Sequence, residues 1–260
     1  MDGGMIEGLL AAVFGLVGVV ALLALAARYN FWRLPKPMSW PRILMYHRIQ
    51  APSADLPRGE GITATTTQFE AHLAWLASHG ARFVTVSELM VAENPARMVA
   101  ITFDDGYDDN YTHAWPILKK FSAPATIYLA PDMLDIDRLT PQMIVEMSAG
   151  GVEFGAHTMT HIHLPSTDDT EALAEIQASK EAVAFLAGRP CLSFAYPYGK
   201  FCDKHVVMVA ATGFTSAVTT KKRILPRKKF DPLRLPRLSM VGQMNRFEFW
   251  LTITRGRYRV

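Results

Sequence analysis

The chain has 260 residues, half of them hydrophobic and a fifth charged, with 17 Gly, 16 Pro and two Cys. It is too apolar for intrinsic disorder, shows no repeat, heptad run or Gly-X-Y period, and has too few cysteines for a disulfide scaffold. The formal net charge of +3 conceals an asymmetry: residues 221–260 hold 12 Lys/Arg against Asp231 and Glu248, a surplus of ten, while the first 220 hold 15 against 22 acids, a deficit of seven. A basic tail on an acidic body predicts either an anionic surface near the C-terminus, membrane or polyanion, or a solvated basic face. Cys191 and Cys202 could pair in an oxidising compartment or stay reduced in the cytosol.

Residues 8–27, GLLAAVFGLVGVVALLALAA, carry no charge over twenty positions. As a helix rising about 1.5 Å per residue this run is about 30 Å long, the thickness of a bilayer's hydrocarbon core. The leading MDGGMIE is acidic, and the apolar run is longer than a signal-peptide core, so a retained anchor is predicted rather than a cleaved leader. Arg28, Arg33, Lys36 and Arg42 all follow the run, which by the positive-inside rule places the body on the cytoplasmic side. Tyr29, Phe31, Trp32 and Trp40 read as an interfacial aromatic belt within a short connector, 28–41. Near the other end, Phe247 to Ile253 followed by Arg255, Arg257 and Arg259 reads either as a second interfacial segment or as a packed terminal helix.

Beyond the connector, residues 42–260 read as one domain in which short β-like runs alternate with helices, the signature of an α/β fold with parallel strands. Strands are predicted at 42–46, 83–86, 98–103, 125–129, 152–156, 192–195, 215–219 and 235–239. Thr67 with Glu70 forms a capping box for a helix closed by Gly80. Thr140 followed by Pro141 marks a second helix start, and Asp168 with Glu171 a third that ends before Gly188. Seven or eight such units fit a barrel or an open doubly wound sheet.

Chemistry-bearing residues collect where these strands end. ILMY runs into His47, VAITF into Asp104-Asp105-Gly106, VEFGA into His157, and LSFAY into Pro197-Tyr198-Gly199. In parallel α/β folds the carboxyl ends of strands form the active-site rim. His157 and His161, four apart, could grip one ion if that segment turns helically, and two imidazoles with one carboxylate leave coordination positions open for catalysis. Asp104 and Asp105 face opposite ways if extended, so one could bind metal while the other reaches a bound water.

With these motifs, Thr102–Gly106 (TFDDG), His157–His161 (HTMTH) and Pro197–Gly199 (PYG), the sequence resembles the polysaccharide deacetylase family, carbohydrate esterase family 4. Met45-Tyr46-His47 and Leu235-Pro236-Arg237 resemble the branch that de-N-acetylates poly-β-1,6-N-acetylglucosamine. The resemblance covers roughly residues 41–240, the deacetylase half of the larger members of that branch, and implies a distorted (β/α) barrel. It implies Asp105, His157 and His161 as ligands of a divalent metal, Zn²⁺ first, with Co²⁺, Ni²⁺ or Fe²⁺ as alternatives. It further implies Asp104 as the base that takes a proton from water, the Tyr198 backbone N–H as the oxyanion donor, and His47 as the acid that protonates the leaving amine.

Two departures from the wider family stand out. The last histidine is His205, before the final strands, so the acid role falls to His47. Ala195 stands where most members have Arg ahead of the Pro-Tyr turn, and Arg237 is expected to restore the cation beside Asp104. Among the rest, His163 reads as structural or as an orienting group, while His72, His79, His113 and His205 read as surface or packing residues. Tyr107, Tyr196 and Trp115 are stacking candidates for a sugar ring, Tyr107 the one retained.

The expected activity is removal of N-acetyl groups from an amino-sugar polysaccharide or lipid-linked glycan, in exopolysaccharide or cell-envelope synthesis. Two rivals are deacylation of a lipid-carried monosaccharide and a catalytically silent glycan-binding scaffold. Expected partners are the glycan, a bacterial inner membrane crossed once, and other polysaccharide-synthesis proteins, with no nucleic acid.

Overall fold

The computed structural model describes residues 3–29, 31–53, 61–134, 136–240, 242 and 244–257, with backbone alone for 3–6. Asp2 of the acidic lead and Arg259 of the basic tail lie outside the described residues. Helix α1 (Gly3–Arg28) contains the whole predicted 8–27 run. None of its apolar window is buried against the protein. A helix apolar on every face has no aqueous reason to stand free.

The body is built from parallel strands. Strand β1 (Arg42–Tyr46) is followed by β2 (Arg48–Gln50) and β3 (Thr63–Thr65), which pair with each other as a small separate sheet. At three residues each, β2 and β3 are too short to register as a period-2 pattern. Helix α2 (Thr66–Ser78) is capped two residues before the expected position. Thr65, delivered in extended conformation by β3, forms the capping box with Gln68 in place of Thr67 with Glu70. Strand β4 (Arg82–Val84) stops where Thr85 and Glu88 cap a short helix, α3 (Val86–Val91), so the predicted strand 83–86 is cut short by a local hydrogen-bond pair. Strand β5 (Met98–Phe103), α4 (Trp115–Lys120), β6 (Ala125–Leu129), α5 (Pro141–Ala149) and β7 (Glu153–Ala156) follow. Then come α6 (Asp169–Ala187), β8 (Ser193–Ala195), α7 (Asp203–Ala211), β9 (Ser216–Val218), β10 (Leu238–Ser239) and α8 (Arg246–Arg255). Thr140 and Asp168 cap α5 and α6, and Gly188 closes α6 in the left-handed conformation, as expected.

The main sheet runs β10-β1-β5-β6-β7-β8-β9, with β4 also on β5, and its pairings are parallel. It curls until one segment joins both ends: Leu235 bridges to Val218 of β9 while Leu238 and Ser239 pair with Leu44 and Met45 of β1. The fold is a distorted (β/α) barrel. Alternate residues divide between two cores. Leu44, Tyr46, Ile101, Phe103, Ile127, Phe154 and Phe194 pack outward under the helices. Ile43, Ala100, Tyr128, Ala195, Val218 and Leu235 fill the interior, with Val86 and Leu89 of α3 in the same cluster.

Helix α8 turns Phe249, Leu251 and Ile253 into the core. The interfacial reading of this segment therefore gives way to a packed terminal helix, with Phe247 left 45% exposed. Both cysteines are free thiols, Cys191 buried and Cys202 exposed.

Candidate active site

The predicted site residues follow the carboxyl ends of the strands, except Arg237, which stands just before β10 on the segment that closes the barrel. Asp104 keeps the inward register of β5, its N–H still donating to Tyr46 O at 3.0 Å, and is buried. Asp105 does not continue the strand. Its φ of +75° is left-handed, and Gly106 follows at +78°, where a Cβ would lie 2.5 Å from Leu129. An extended pair would point to opposite faces; this left-handed step brings both carboxylates to one centre, correcting the extended expectation.

His157 continues the line of β7, its N–H donating to Leu129 O at 2.8 Å. Its Nδ1 lies 2.7 Å from Ala195 O. A carbonyl only accepts, so Nδ1 carries the proton and Nε2 keeps a lone pair towards Asp105. The run from His157 to His161 is a loop and not a helical turn, with left-handed backbone at Thr158 (φ +60°) and His161 (φ +59°). Glu175 of α6 holds that loop, accepting from the N–H groups of Met159 at 2.7 Å and Thr160 at 3.0 Å and from the Thr160 hydroxyl at 2.8 Å. No spacing in the sequence points to Glu175, because the contact exists only once α6 has packed beside β7.

The result is a three-donor cluster: Asp105 Oδ1 lies 3.6 Å from His157 Nε2 and 3.5 Å from His161 Nε2. One ligand atom from each residue lies within 4.8 Å of the others, a spacing that a single ion could bridge. Asp105 Oδ1 is buried and has no hydrogen-bond partner. Lone pairs facing one another in a buried setting are costly unless a cation stands among them, so the donor set fits a divalent metal. The titration behaviour reflects the same crowding. Burial, then the Asp104 charge, push Asp105 up to about 7, while burial pushes His157 down to about 3 and lowers His161 as well.

Arg237 comes from the closing segment and is completely buried. It forks onto Asp104, Nη1 to Oδ1 at 2.6 Å and Nη2 to Oδ2 at 2.7 Å, and also donates to Thr102 Oγ1 and Thr219 O, both at 3.1 Å. Burial alone would raise the Asp104 pKa, but the charge and hydrogen bonds of Arg237 outweigh it and hold the carboxyl well below the usual range. Beneath the guanidinium lies the Tyr128 ring, 5.6 Å from Cζ to centroid. Gly155 makes room for that ring, since a Cβ there would fall 2.6 Å from it.

His47 Nε2 stands 4.0 Å from Asp104 Oδ2. Burial lowers its pKa, against the opposing pull of Asp104, so the imidazole is neutral near pH 7. Tyr198 sits on a left-handed turn (φ +57°), its exposed ring 4.4 Å from that of His161 and 6.0 Å from that of His163. Four of the six non-glycine residues with positive φ among those described, Asp105, Thr158, His161 and Tyr198, thus fall at this one site.

The aromatic candidates separate. Tyr107 is buried, hydrogen-bonds Asp105 and lies under Arg48, so it braces that carboxylate rather than offering a stacking face. Tyr196 is core, its ring 4.0 Å from Phe201 and its hydroxyl on Leu233 O. Trp115 pairs with Tyr111 on the helix after the site. His72 is buried against Phe249, a packing role as expected, while His205 accepts from Cys202 N and so caps α7. His163 bonds Ser166. Beside Asp105 opens a cavity of about 640 Å³, bordered by Leu129, Met159, Ile144 and Phe185.

The polysaccharide deacetylase family profile matches residues 92–217, which contain both aspartates, both clustered histidines and the Pro-Tyr-Gly turn. YxkH of Bacillus subtilis, a protein named for the same family, is 31% identical over 192 residues, covering 72% of this chain and 66% of its own length. A Staphylococcus aureus poly-β-1,6-N-acetyl-D-glucosamine N-deacetylase is 25% identical over 188 residues, covering 65% of each. The chain thus spans just under two thirds of these curated relatives. The structure of the Streptococcus pyogenes deacetylase PplD in complex with acetate superposes with a TM-score of 0.72 at 27% identity, covering 84% of this chain and 99% of that one. Motifs, barrel and cluster agree: the chain carries a polysaccharide deacetylase domain.

Proposed function

We propose that this chain is a metal-dependent hydrolase that removes N-acetyl groups from N-acetylglucosamine-type residues of a glycan, releasing acetate. The observation that carries this reading is the convergence of Asp105, His157 and His161 on one centre, with the Arg237-paired Asp104 alongside. Asp105, His157 and His161 would hold the ion, Zn²⁺ first and Co²⁺, Ni²⁺ or Fe²⁺ as alternatives. A divalent cation held there supplies Lewis acidity, which acidifies water and polarises a carbonyl.

The protein's own groups do the rest. Arg237 keeps Asp104 ionised at every working pH, so Asp104 is always free to accept the proton of the attacking water. His47, neutral at rest, takes up that proton across the 4.0 Å gap, which a small side-chain shift closes, and gives it to the departing amine. The Tyr198 backbone N–H supports the developing oxyanion, and its ring walls the open side of His161. Retention of His47 together with Asp104 argues against a silent scaffold, which needs neither acid nor base.

In this reading residues 8–27 form a single inner-membrane span, 28–41 a connector and 42–260 one catalytic domain. The positive flank assigns the domain to the cytoplasmic side, and a C-terminal topology reporter tests that assignment. A polymeric glycan is favoured over a lipid-carried monosaccharide by the position of the connector. Ser39 O accepts from Arg97 N, and Arg42 binds the carbonyls of Lys36 and Pro37, so the connector lies at the amino ends of β1 and β5. The catalytic residues lie at the other ends, at least the length of a five-residue strand away, about 16 Å.

The deciding experiment is acetate release by the purified chain from β-1,6-linked N-acetylglucosamine oligomers and from lipid-linked amino sugar. Release from the oligomers, lost on chelation and restored by Zn²⁺, is expected. Release that survives full metal removal would overturn the reading.

A further inference from the structure

At the amino ends of the strands, where the connector meets the C-terminal end of α8, lies a second cavity of about 410 Å³. Arg33, Lys36, Arg223, Lys229 and Arg255 line it together with Trp40, and no Asp or Glu is among its described lining residues. Arg255 ties the connector to α8, donating to Phe31 O at 2.8 Å and Arg33 O at 2.9 Å. The cations are gathered rather than spread: burial, then the charges of Arg257 and Arg223, lower the pKa of Arg33. Such a concentration of like charge is unfavourable by itself and becomes favourable with an anion in place.

Its surroundings indicate which anion. The cavity begins five residues beyond the end of α1, whose apolar span is wholly exposed. Leu34 of its lining is 76% exposed, Trp32 nearby is 59% exposed, and Phe31 and Phe247 also show apolar surface. A soluble phosphate has no use for this rim. A lipid does, with acyl chains alongside α1 and its headgroup phosphate among the cations.

We propose that this cavity is a binding site for the phosphate-bearing headgroup of an anionic membrane lipid, seating the lower face of the barrel on the bilayer. The site rests on α1 being a membrane span but not on the deacetylase reading. Binding there would hold the catalytic rim turned away from the lipid surface.

The test uses the full chain purified in neutral detergent, with phosphatidylglycerol, phosphatidylcholine and inorganic phosphate as probes and retained lipid read by native mass spectrometry. Phosphatidylglycerol should be retained at least tenfold more strongly than phosphatidylcholine, and millimolar inorganic phosphate should not displace it. Arg223→Ala combined with Lys229→Ala should abolish that preference while leaving thermal melting unchanged; both side chains are exposed. The helix contributes equally to both lipids and both chains, so it cancels in the comparison. Equal retention of the two lipids, or an unaltered preference in the double variant, overturns the proposal. Displacement by inorganic phosphate would also overturn it, making the cavity a soluble-anion site. Release of the chain from membranes by alkaline carbonate would show separately that α1 is not a span.

Discussion

Two arginines are buried at opposite ends of this barrel, and they are satisfied in different ways. At the catalytic end Arg237 is matched by the charge of Asp104 through a two-pronged contact. At the connector end Arg42 is 2% exposed yet its described partners are backbone carbonyls: Ile253 and Pro37 at 3.0 Å, Lys36 at 3.3 Å, and Trp40. Without a counter-charge, burial lowers the Arg42 pKa to about 10. Arg42 staples the connector and α8 to the start of β1, a task of position. Arg237 sets the charge state of a neighbouring acid, a task of chemistry. Left-handed backbone shows the same division, concentrated on the rim where Asp105, Thr158, His161 and Tyr198 sit.

The sharpest test of the contrast is to empty the donor cluster. Asp105→Ala, or exhaustive chelation of the unaltered chain, is expected to bring acetate release to background, with far-ultraviolet circular dichroism unchanged. Next, Asp104→Asn should lower kcat by about 10²–10⁴-fold, the usual contribution of a general base; a full-rate Asp104→Asn enzyme would remove Asp104 from the chemistry.

The arginines themselves give the intermediate effects. Arg237→Met leaves Asp104 buried without its partner and should cost about 3–5 kcal/mol of stability in denaturant titrations. It should also move the acid limb of kcat/KM upward by about a unit or more, because burial then acts on Asp104 with its main opponent, the Arg237 charge, removed. The sign follows from linkage. The folded pKa of Asp104 lies below its unfolded value, so the pair's stabilisation is present above about pH 4, the unfolded Asp value, and fades only as the pH falls through the folded one. Arg42→Met should destabilise by about 1–3 kcal/mol through stranded carbonyls and leave the pH profile where it was. If the two variants shift the profile alike, the distinction drawn between them fails. The smallest effect is expected from Glu175→Gln, which weakens the loop carrying His161. Roughly two- to tenfold weaker Zn²⁺ affinity by competition with a chelating dye is expected, from a ligand-supporting contact that stays partly in place.

Much of the chemistry was legible in the chain before folding. The strand-end motifs identified Asp104, Asp105, His157 and His161, and the missing Arg before the Pro-Tyr turn pointed to Arg237 at 235–239 as the replacement cation. The limits of β1, β5 and β6 match the predicted runs, which are short and predominantly apolar; the first two stop at His47 and Asp104. What the sequence leaves open is conformation at single residues: neither the extended Asp-Asp pair nor the helical HTMTH turn that it allows is the one adopted. Local propensity disfavours positive φ, and only the surrounding packing could impose it there. Tyr107 and Glu175 escaped for a related reason, since their roles arise from neighbours distant along the chain or from a carboxylate turned by strained backbone.

Residue order by itself therefore determined an apolar N-terminal helix, an α/β body and the list of groups able to do the chemistry, because hydrophobic period and strand-end polarity are local properties. Tertiary structure alone decided that the Leu235–Met240 segment would reach both edges of the sheet, that Arg237 would fork onto Asp104, and that Asp105 would turn towards two imidazoles. All of those contacts but the Val218–Leu235 bridge join residues more than fifty positions apart. Their geometry is set by closure of the barrel, which no window of sequence contains.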